Sequence, residues 1–497
     1  MPATDGRRVN LEEAANRPRG ADGAGPTRTA VALIVAATVA VATYLTFGVL
    51  GQQGWGGGVY WAMLASGAAV LGVGTWLTPR VRVRHALPVV IVGAALMRVV
   101  LVPLEPALST DMYRYLWDGQ VQASGINPYV HAPEDPALEE LRDDLWEPIN
   151  RKFARTIYPP VAQLTFLGAN LVGLDTTTGW KALVSLADLA AIVLLVVVLT
   201  AAGRDPRRVV AYAWNPLPIM AFGLSGHVDA FVVLAAVAAT LLWWRGRHLG
   251  AGALIGVAAG VKLFPLMLVA AFARGRDTVW RWGPAIGQGV TAVGVLLAGY
   301  LLYLSAGTDV FGYLTTGYLD EEGYTTADRF RLVRALGLDG RVVTPIVAVA
   351  VGIAVLRSHR PAPTRAAWLM GAAFVLTVPF SWYTAPLIAL AVAGGAGWAW
   401  GWFAILLHAA YIAIFHDDVL AFLTGGMRLS TPLRNIAAGA IVLLAIAAVR
   451  SRWARRAVIW QPPEDVPPAA AGASPRPWDA SSGEPPTEVP GTEADRP

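Results

Sequence analysis

Residues Thr29–Leu50 read TAVALIVAATVAVATYLTFGVL, an apolar stretch without one charged side chain. A helix needs about 20 such residues to cross the hydrocarbon core of a bilayer, whereas a signal-peptide core is shorter and leads to a small-residue cleavage site. This stretch is long enough and lacks a convincing cleavage site, so it reads as a membrane helix. Working outward, further apolar runs occupy 58–78, 86–103, 158–174, 180–202, 208–223, 228–244 and 249–272. The series continues at 283–305, 342–356, 366–394, 398–415 and 435–449. Several runs are too short to cross alone, and short or Pro/Gly-broken segments are re-entrant only where protein or water surrounds the backbone. The expectation is an all-α polytopic membrane protein of about 12–14 transmembrane or re-entrant helices.

Composition agrees. Of 497 residues, 55% are hydrophobic and 15% charged, where a soluble domain carries about a quarter charged residues. Thirty-nine basic side chains against thirty-four acidic ones give +5, too slight and scattered a surplus for a nucleic-acid partner. Cysteine is absent, which excludes disulfides, thiolate metal sites and cysteine nucleophiles. Only three basic residues are lysines: Lys152, Lys181 and Lys262. Residues 1–28 read as a disordered polar leader, 29–456 as the multi-span domain, and 457–497 as a disordered Pro-rich acidic tail. No repeat of fixed period is evident, which argues against transporters built from duplicated halves.

Arginine placement sets the orientation, because short cytoplasmic loops are enriched in Lys and Arg. Arg80/Arg82/Arg84, Arg204/Arg207/Arg208, Arg245/Arg247, Arg274/Arg276/Arg281, Arg357/Arg360/Arg365 and Arg450/Arg452/Arg455/Arg456 crowd short connections. Placing these in the cytoplasm puts both termini there. The long connections, 104–160 and 306–341, then lie outside the cell membrane. Loop parity requires 158–174 to be re-entrant and 249–272 to be a hairpin.

The first long connection contains Thr110-Asp111-Met112-Tyr113-Arg114-Tyr115-Leu116-Trp117-Asp118-Gly119 and carries ten acids against five bases between Glu105 and Pro160. In a helix, Asp111, Arg114, Tyr115 and Asp118 share one face. The pattern predicts an amphipathic juxtamembrane helix lying on the membrane, with Tyr113, Tyr115 and Trp117 at headgroup depth. A carboxylate there suits general-base work on a sugar hydroxyl, and a neighbouring arginine suits a lipid-linked phosphate. An ordinary surface ion-pair network has the same spacing, so the pattern alone does not decide.

The block Asp-Met-Tyr-Arg-Tyr-Leu-Trp-Asp-Gly, followed by Gly125-Ile126-Asn127-Pro128-Tyr129 and Ile157-Tyr158-Pro159-Pro160-Val161-Ala162-Gln163, resembles the polyprenyl-phosphate-sugar-dependent glycosyltransferases of the GT-C superfamily. More narrowly, it resembles the actinobacterial α-mannosyltransferases of the family 87-like group. Trp214-Asn215-Pro216-Leu217, Gly226-His227-Val228-Asp229, Lys262-Leu263-Phe264-Pro265 and Ser381-Trp382-Tyr383 continue it in order, over roughly 85–395. The resemblance implies inverting transfer of mannose from polyprenyl-phosphate mannose to a glycan or glycolipid acceptor outside the membrane. By position it makes Asp111 the base. It implies no nucleotide cofactor and leaves divalent-cation dependence open. The rival readings are a transporter or flippase of a lipid-linked sugar, or the same fold with a glucosyl or arabinofuranosyl donor.

Around Asp111, the donor phosphate is expected to meet Arg114, Arg155 and Lys262. Tyr115, Asp118, Tyr158, His227, Asp229 and Tyr383 are expected to shape the site. Asp229 has an alternative role as a helix cap, Lys262 as a snorkelling side chain, and Arg155 as an interfacial anchor. Trp382 and Tyr383 fit an aromatic belt better than a sugar platform. Arg329, Arg331 and Arg334 after Asp320-Glu321-Glu322 fit a solvated, salt-bridged loop better than an acceptor-binding one. Arg98 needs a partner within its membrane run, and Glu105 is the nearest in sequence. The histidines are too dispersed to propose a metal site; His416 beside Asp417 and Asp418 gives one weak cation pattern.

Overall fold

The computed structural model describes residues 26–415 apart from 55–56, 107–108, 276–278, 331–332, 334–336, 378–379 and 396. All of them belong to the unit Met1–Trp460. The expectations for run 435–449, for the tail and for His416-Asp417-Asp418 lie outside the described residues. Among the described residues the secondary structure is helical, with one isolated antiparallel bridge between Arg274 and Trp280 and no strand.

The long helices are α1 (Pro26–Gln52), α2 (Gly57–Leu77), α3 (Val83–Val99), α4 (Asp111–Ala123), α5 (Pro160–Leu171) and α6 (Thr177–Ala201). There follow α7 (Asp229–Trp244), α8 (His248–Val261), the short α9 (Met267–Phe272), α10 (Trp282–Leu301) and α11 (Gly340–Arg357). The set closes with α12 (Ala362–Thr377), α13 (Thr384–Ala393) and α14 (Gly397–Phe415). Five segments are long and apolar enough to cross a membrane: Thr27–Gln52, Gly58–Arg80, Thr177–Ala201, Trp282–Leu301 and Gly340–Arg357. Shorter apolar helices stand beside them, α7, α8 and α13 among these.

Packing explains which faces are apolar. On α10, Ile286, Val290, Val293, Leu297 and Leu301 are all exposed, and α11 exposes Val342, Ile346, Val349 and Ile353. Such helical-period apolar stripes are rare on a soluble monomer and ordinary against lipid. The opposite side of α10 meets α8. There the small residues Gly252 and Gly256 let two backbones touch. A Cβ on Gly252 would stand 2.4 Å from the Gln288 carbonyl oxygen, and one on Gly256 would stand 2.5 Å from that of Ala292. Small residues four apart are the usual device for close helix contact where lipid offers no hydrophobic driving force. Gly256→Val is therefore expected to lower the melting temperature of the detergent-solubilised protein, at a cost of about 1–3 kcal/mol. Unchanged melting would refute the tight contact.

The run 249–272 doubles back on itself. α8 ends at Lys262, whose backbone is extended, and a 3₁₀ turn through Phe264–Leu266 leads into α9. Lys262 pairs with Asp229 at the start of α7, while the Phe272 carbonyl accepts from the Trp243 indole at the end of α7. The middle of the segment thus stands at one end of α7 and both its ends stand at the other. Twelve-residue α5 is only about 18 Å long, too short to cross a core of about 30 Å.

Two expectations are corrected here. Arg98 does not reach Glu105. Its Nε meets Asp188 at 2.5 Å, in the middle of α6, with both side chains fully buried. The Tyr212 hydroxyl donates to the same carboxylate at 2.5 Å, and Arg98 also donates to the Ala94 and Ala213 carbonyls. Nor does α4 hold Tyr115 and Trp117 at headgroup depth. It is a helix as expected, with Asp111 in its positively polarised first turn and Gly125, at φ +80°, just beyond its end. However, Tyr115 and Trp117 are each 1% exposed. α4 packs on α5, and Trp117 joins Val121, Leu138 and Ile149 in a small core of the first long connection.

Candidate active site

A cavity of about 730 Å³ opens beside the first turn of α4. Its size suits a small ligand or a headgroup. One wall is α4 itself, through Thr110, Asp111 and Arg114, and the next is the return segment carrying Asn150, Arg151, Arg155 and Tyr158. Lys262, Leu263 and Phe264 enter from the apex of the doubled-back segment. The second long connection contributes Tyr313, Tyr318, Glu322, Tyr324 and Arg329, and Phe380, Trp382 and Tyr383 close the far side.

Six of the ten site residues expected from sequence meet in this one cavity: Asp111, Arg114, Arg155, Tyr158, Lys262 and Tyr383. The other four stand behind its wall. Asp118 accepts from Arg114 Nε and from Gln163 Nε2, each at 2.8 Å, and so aims the guanidinium rather than facing a ligand. Tyr115 stacks on Phe166 (centroids 4.9 Å apart) and its hydroxyl lies 3.4 Å from His227 Nδ1. Burial, then the neighbouring Tyr158, Asp111 and Asp229, hold that phenol well above its usual pKa. His227 stacks at 3.7 Å on Trp382. Asp229, wholly buried, holds Lys262 Nζ at 2.7 and 2.9 Å. Lys262 also lies 4.1 Å from the Tyr383 ring centroid, so it is anchored and does not snorkel.

Charge is sorted by depth. Five cations face the cavity, and each has an acidic partner. Arg114 has Asp118, Lys262 has Asp229, and Arg155 has Asp309 at 2.6 Å. Arg151 is shared between Glu321 and Glu322, at 2.5 and 3.1 Å, and Arg329 Nη1 donates to Glu322 at 2.5 Å. Burial opposes the charge on Arg329, but Tyr324, Glu322 and Tyr318 outweigh it, and the net shift is upward. Arg151 is likewise raised: burial opposes it and Glu321 and Glu322 prevail. Of the five, Arg114 Nη2 and Arg329 Nε remain buried without a hydrogen-bond partner. An unmet buried N–H is costly, and both belong to side chains that line the cavity.

Of the two lining carboxylates, Glu322 is held by Arg151 and Arg329. Among the described residues, Asp111 has no cation within salt-bridge distance. There it accepts from the neutral Asn150 amide, at 2.9 Å, while the Ser109 hydroxyl takes its backbone N–H at 3.1 Å.

Sequence reasoning was half right about Arg329, which does pair with Glu322. Far from lying on a solvated loop, it is 6% exposed and lies 5.2 Å from the Phe380 ring centroid. Trp382 and Tyr383 are wall residues, not a belt: Trp382 is sandwiched between His227 and Phe380, the latter at 4.9 Å. Arg151, Asn150 and Tyr318 were not singled out at all. Arg151 has a signal of its own, a left-handed φ of +50° rare for a residue with a side chain. Among the described residues, no three His, Asp or Glu side chains converge as a metal site.

No curated protein matches the chain. The family model described as Glycosyltransferase family 87 matches residues 156–381, a little under half the chain, taking in the walls from Ile157 to Phe380 but beginning after Asp111. That match, on an all-helical membrane fold, supports a glycosyltransferase of the GT-C type.

Proposed function

We propose that the chain transfers a mannosyl residue from polyprenyl-phosphate mannose to a glycan or glycolipid acceptor at the outer face of the plasma membrane, with inversion. The observation that carries this reading is the contrast at the cavity wall. Among the described residues Asp111 is a carboxylate without an ion-pair partner, and it lines the same cavity as the Arg114 and Arg329 guanidiniums, which retain unmet donors. Asp111 takes the proton of an acceptor hydroxyl as its oxygen attacks the anomeric carbon. The bond from that carbon to the phosphate oxygen breaks, and the leaving phosphate keeps the electron pair. Arg114, Arg329 and Lys262 hold that phosphate, Arg155 stands at its outer edge, and the Trp382 and Tyr383 rings border the sugar. Asp118 and Asp229 position Arg114 and Lys262, while Tyr115, Tyr158 and His227 fix the aromatic wall between them.

A transporter would gather its charges around a mid-membrane path. Here the pair Arg98–Asp188, with Asp188 in the middle of α6, is fully buried, and the cavity cations cluster at helix ends. Both termini in the cytoplasm, as the arginine pattern implies, place the cavity outside.

Membranes containing the full chain, supplied with radiolabelled polyprenyl-phosphate mannose and a mannoside acceptor, are expected to yield a labelled covalent product and free polyprenyl phosphate. Label movement across the membrane without covalent product would favour the transport reading. In the same assay Arg329→Gln is expected to raise the donor KM roughly 10- to 100-fold, as for loss of a hydrogen bond to a charged group. An unchanged donor KM removes Arg329 from the phosphate site.

A further inference from the structure

A second cavity, about 470 Å³, shares Arg155 and Tyr313 with the first and is otherwise lined by Phe153, Asp309, Phe311 and their neighbours in the second connection. We infer that it is the acceptor-sugar subsite, a place for a glycan unit beside the one being extended. This rests on the transferase reading above and adds where the acceptor lies.

The chemistry of the lining carries the argument. Phe153 and Phe311 are each more than half exposed, and the Phe153 ring meets the Tyr313 ring edge to face at 5.7 Å. Open aromatic faces of this kind receive the C–H side of a pyranose. Beside them the Arg155–Asp309 pair, at 2.6 Å and 44% exposed on each side, offers solvent-facing donors and acceptors together. Neighbouring sugar hydroxyls, each both donor and acceptor, match that pair. A lipid tail would leave the ion pair without partners, and a phosphate would meet Asp309 with like charge. The frame is firm. Gly312, at φ +52°, lies on the Thr156 carbonyl so closely that a Cβ there would stand 1.8 Å from its oxygen. The shared Arg155 follows Ala154, whose carbonyl accepts from Arg114 Nη1 at 2.9 Å. The subsite therefore adjoins the wall that carries Asp111.

Two measurements test it on the full chain in detergent or nanodiscs. Saturation-transfer NMR with α-mannotriose alone is expected to show binding by the wild-type protein and its loss in Phe153→Ala and in Asp309→Asn. Because no donor is present, this outcome does not depend on turnover. In the transfer assay, Phe153→Ala is expected to raise the acceptor KM roughly tenfold while kcat and the donor KM stay near wild type. Phe153→Tyr is expected to restore it. Phe153 is exposed, so its loss leaves the fold intact. Mannotriose binding that survives both substitutions, or a Phe153→Ala effect falling on the donor KM, overturns the assignment. A wild-type protein that binds mannotriose but forms no glycoside from any lipid-phosphate sugar would sink the transferase reading while leaving a glycan site in place.

Discussion

Asp111→Asn is expected to reduce glycosyl transfer by roughly 10²- to 10⁴-fold, the usual contribution of a positioned general base. The substitution is close to isosteric. The Asn150 amide, which now donates to Asp111 Oδ1 at 2.9 Å, finds a carbonyl oxygen in the same place, so the first turn of α4 keeps its contacts. What disappears is the capacity to take a proton. The loss should appear in kcat, with the donor KM little changed, because the proposed phosphate contacts come from Arg114, Arg329 and Lys262. Asp111→Glu moves the carboxylate by one methylene and is expected to retain a fraction of the rate. Normal turnover by a correctly folded Asp111→Asn protein would remove this residue from the mechanism.

The largest expected effect on stability lies elsewhere, at Arg98. Arg98→Met leaves the Asp188 carboxylate in the middle of α6 with only the Tyr212 hydroxyl as partner. Breaking one side of a buried pair costs about 3–5 kcal/mol, chiefly because the remaining charge has no compensation. Removing both charges, in Arg98→Met with Asp188→Leu, is expected to recover most of that loss. Size-exclusion melting curves in detergent read the difference directly. A single variant that melts with the wild type would show that the pair contributes little to holding α3 against α6.

The same pair shows what a sequence discloses and what it withholds. Thr29–Leu50, 180–202, 283–305 and 342–356 are legible as helices because length and hydropathy are local properties, and each coincides with a long apolar helix. α4 is legible because its first-turn aspartate and following glycine are local as well. Arg98 was matched to Glu105, seven residues on, because only neighbours can be counted along a chain. Its partner, Asp188, is ninety residues away. The site divides in the same way. Asp111, Arg114, Arg155, Tyr158, Lys262 and Tyr383 were singled out through sequence motifs and the family resemblance they carry, and the fold does gather them. Tyr115 and Asp118 share the helix with Asp111, but helical spacing could not say that the protein interior would cover them. Arg329 looked like one charge in a run of charges. Its burial against Phe380 follows from how the second connection folds over the first, and no local pattern reports that.

The order in which the walls occur along the chain has a consequence for synthesis. The α4 wall is made early, and the walls bearing Arg329 and then Trp382 and Tyr383 come much later. Helices enter a bilayer as they leave the ribosome, so Asp111 waits at the interface while more than two hundred further residues are made. On the proposed mechanism, the part made by then holds the base and the Arg114 and Lys262 contacts but lacks the Arg329 contact to the donor phosphate. A chain stopped before Arg329 is therefore expected to bind donor poorly and to form little product.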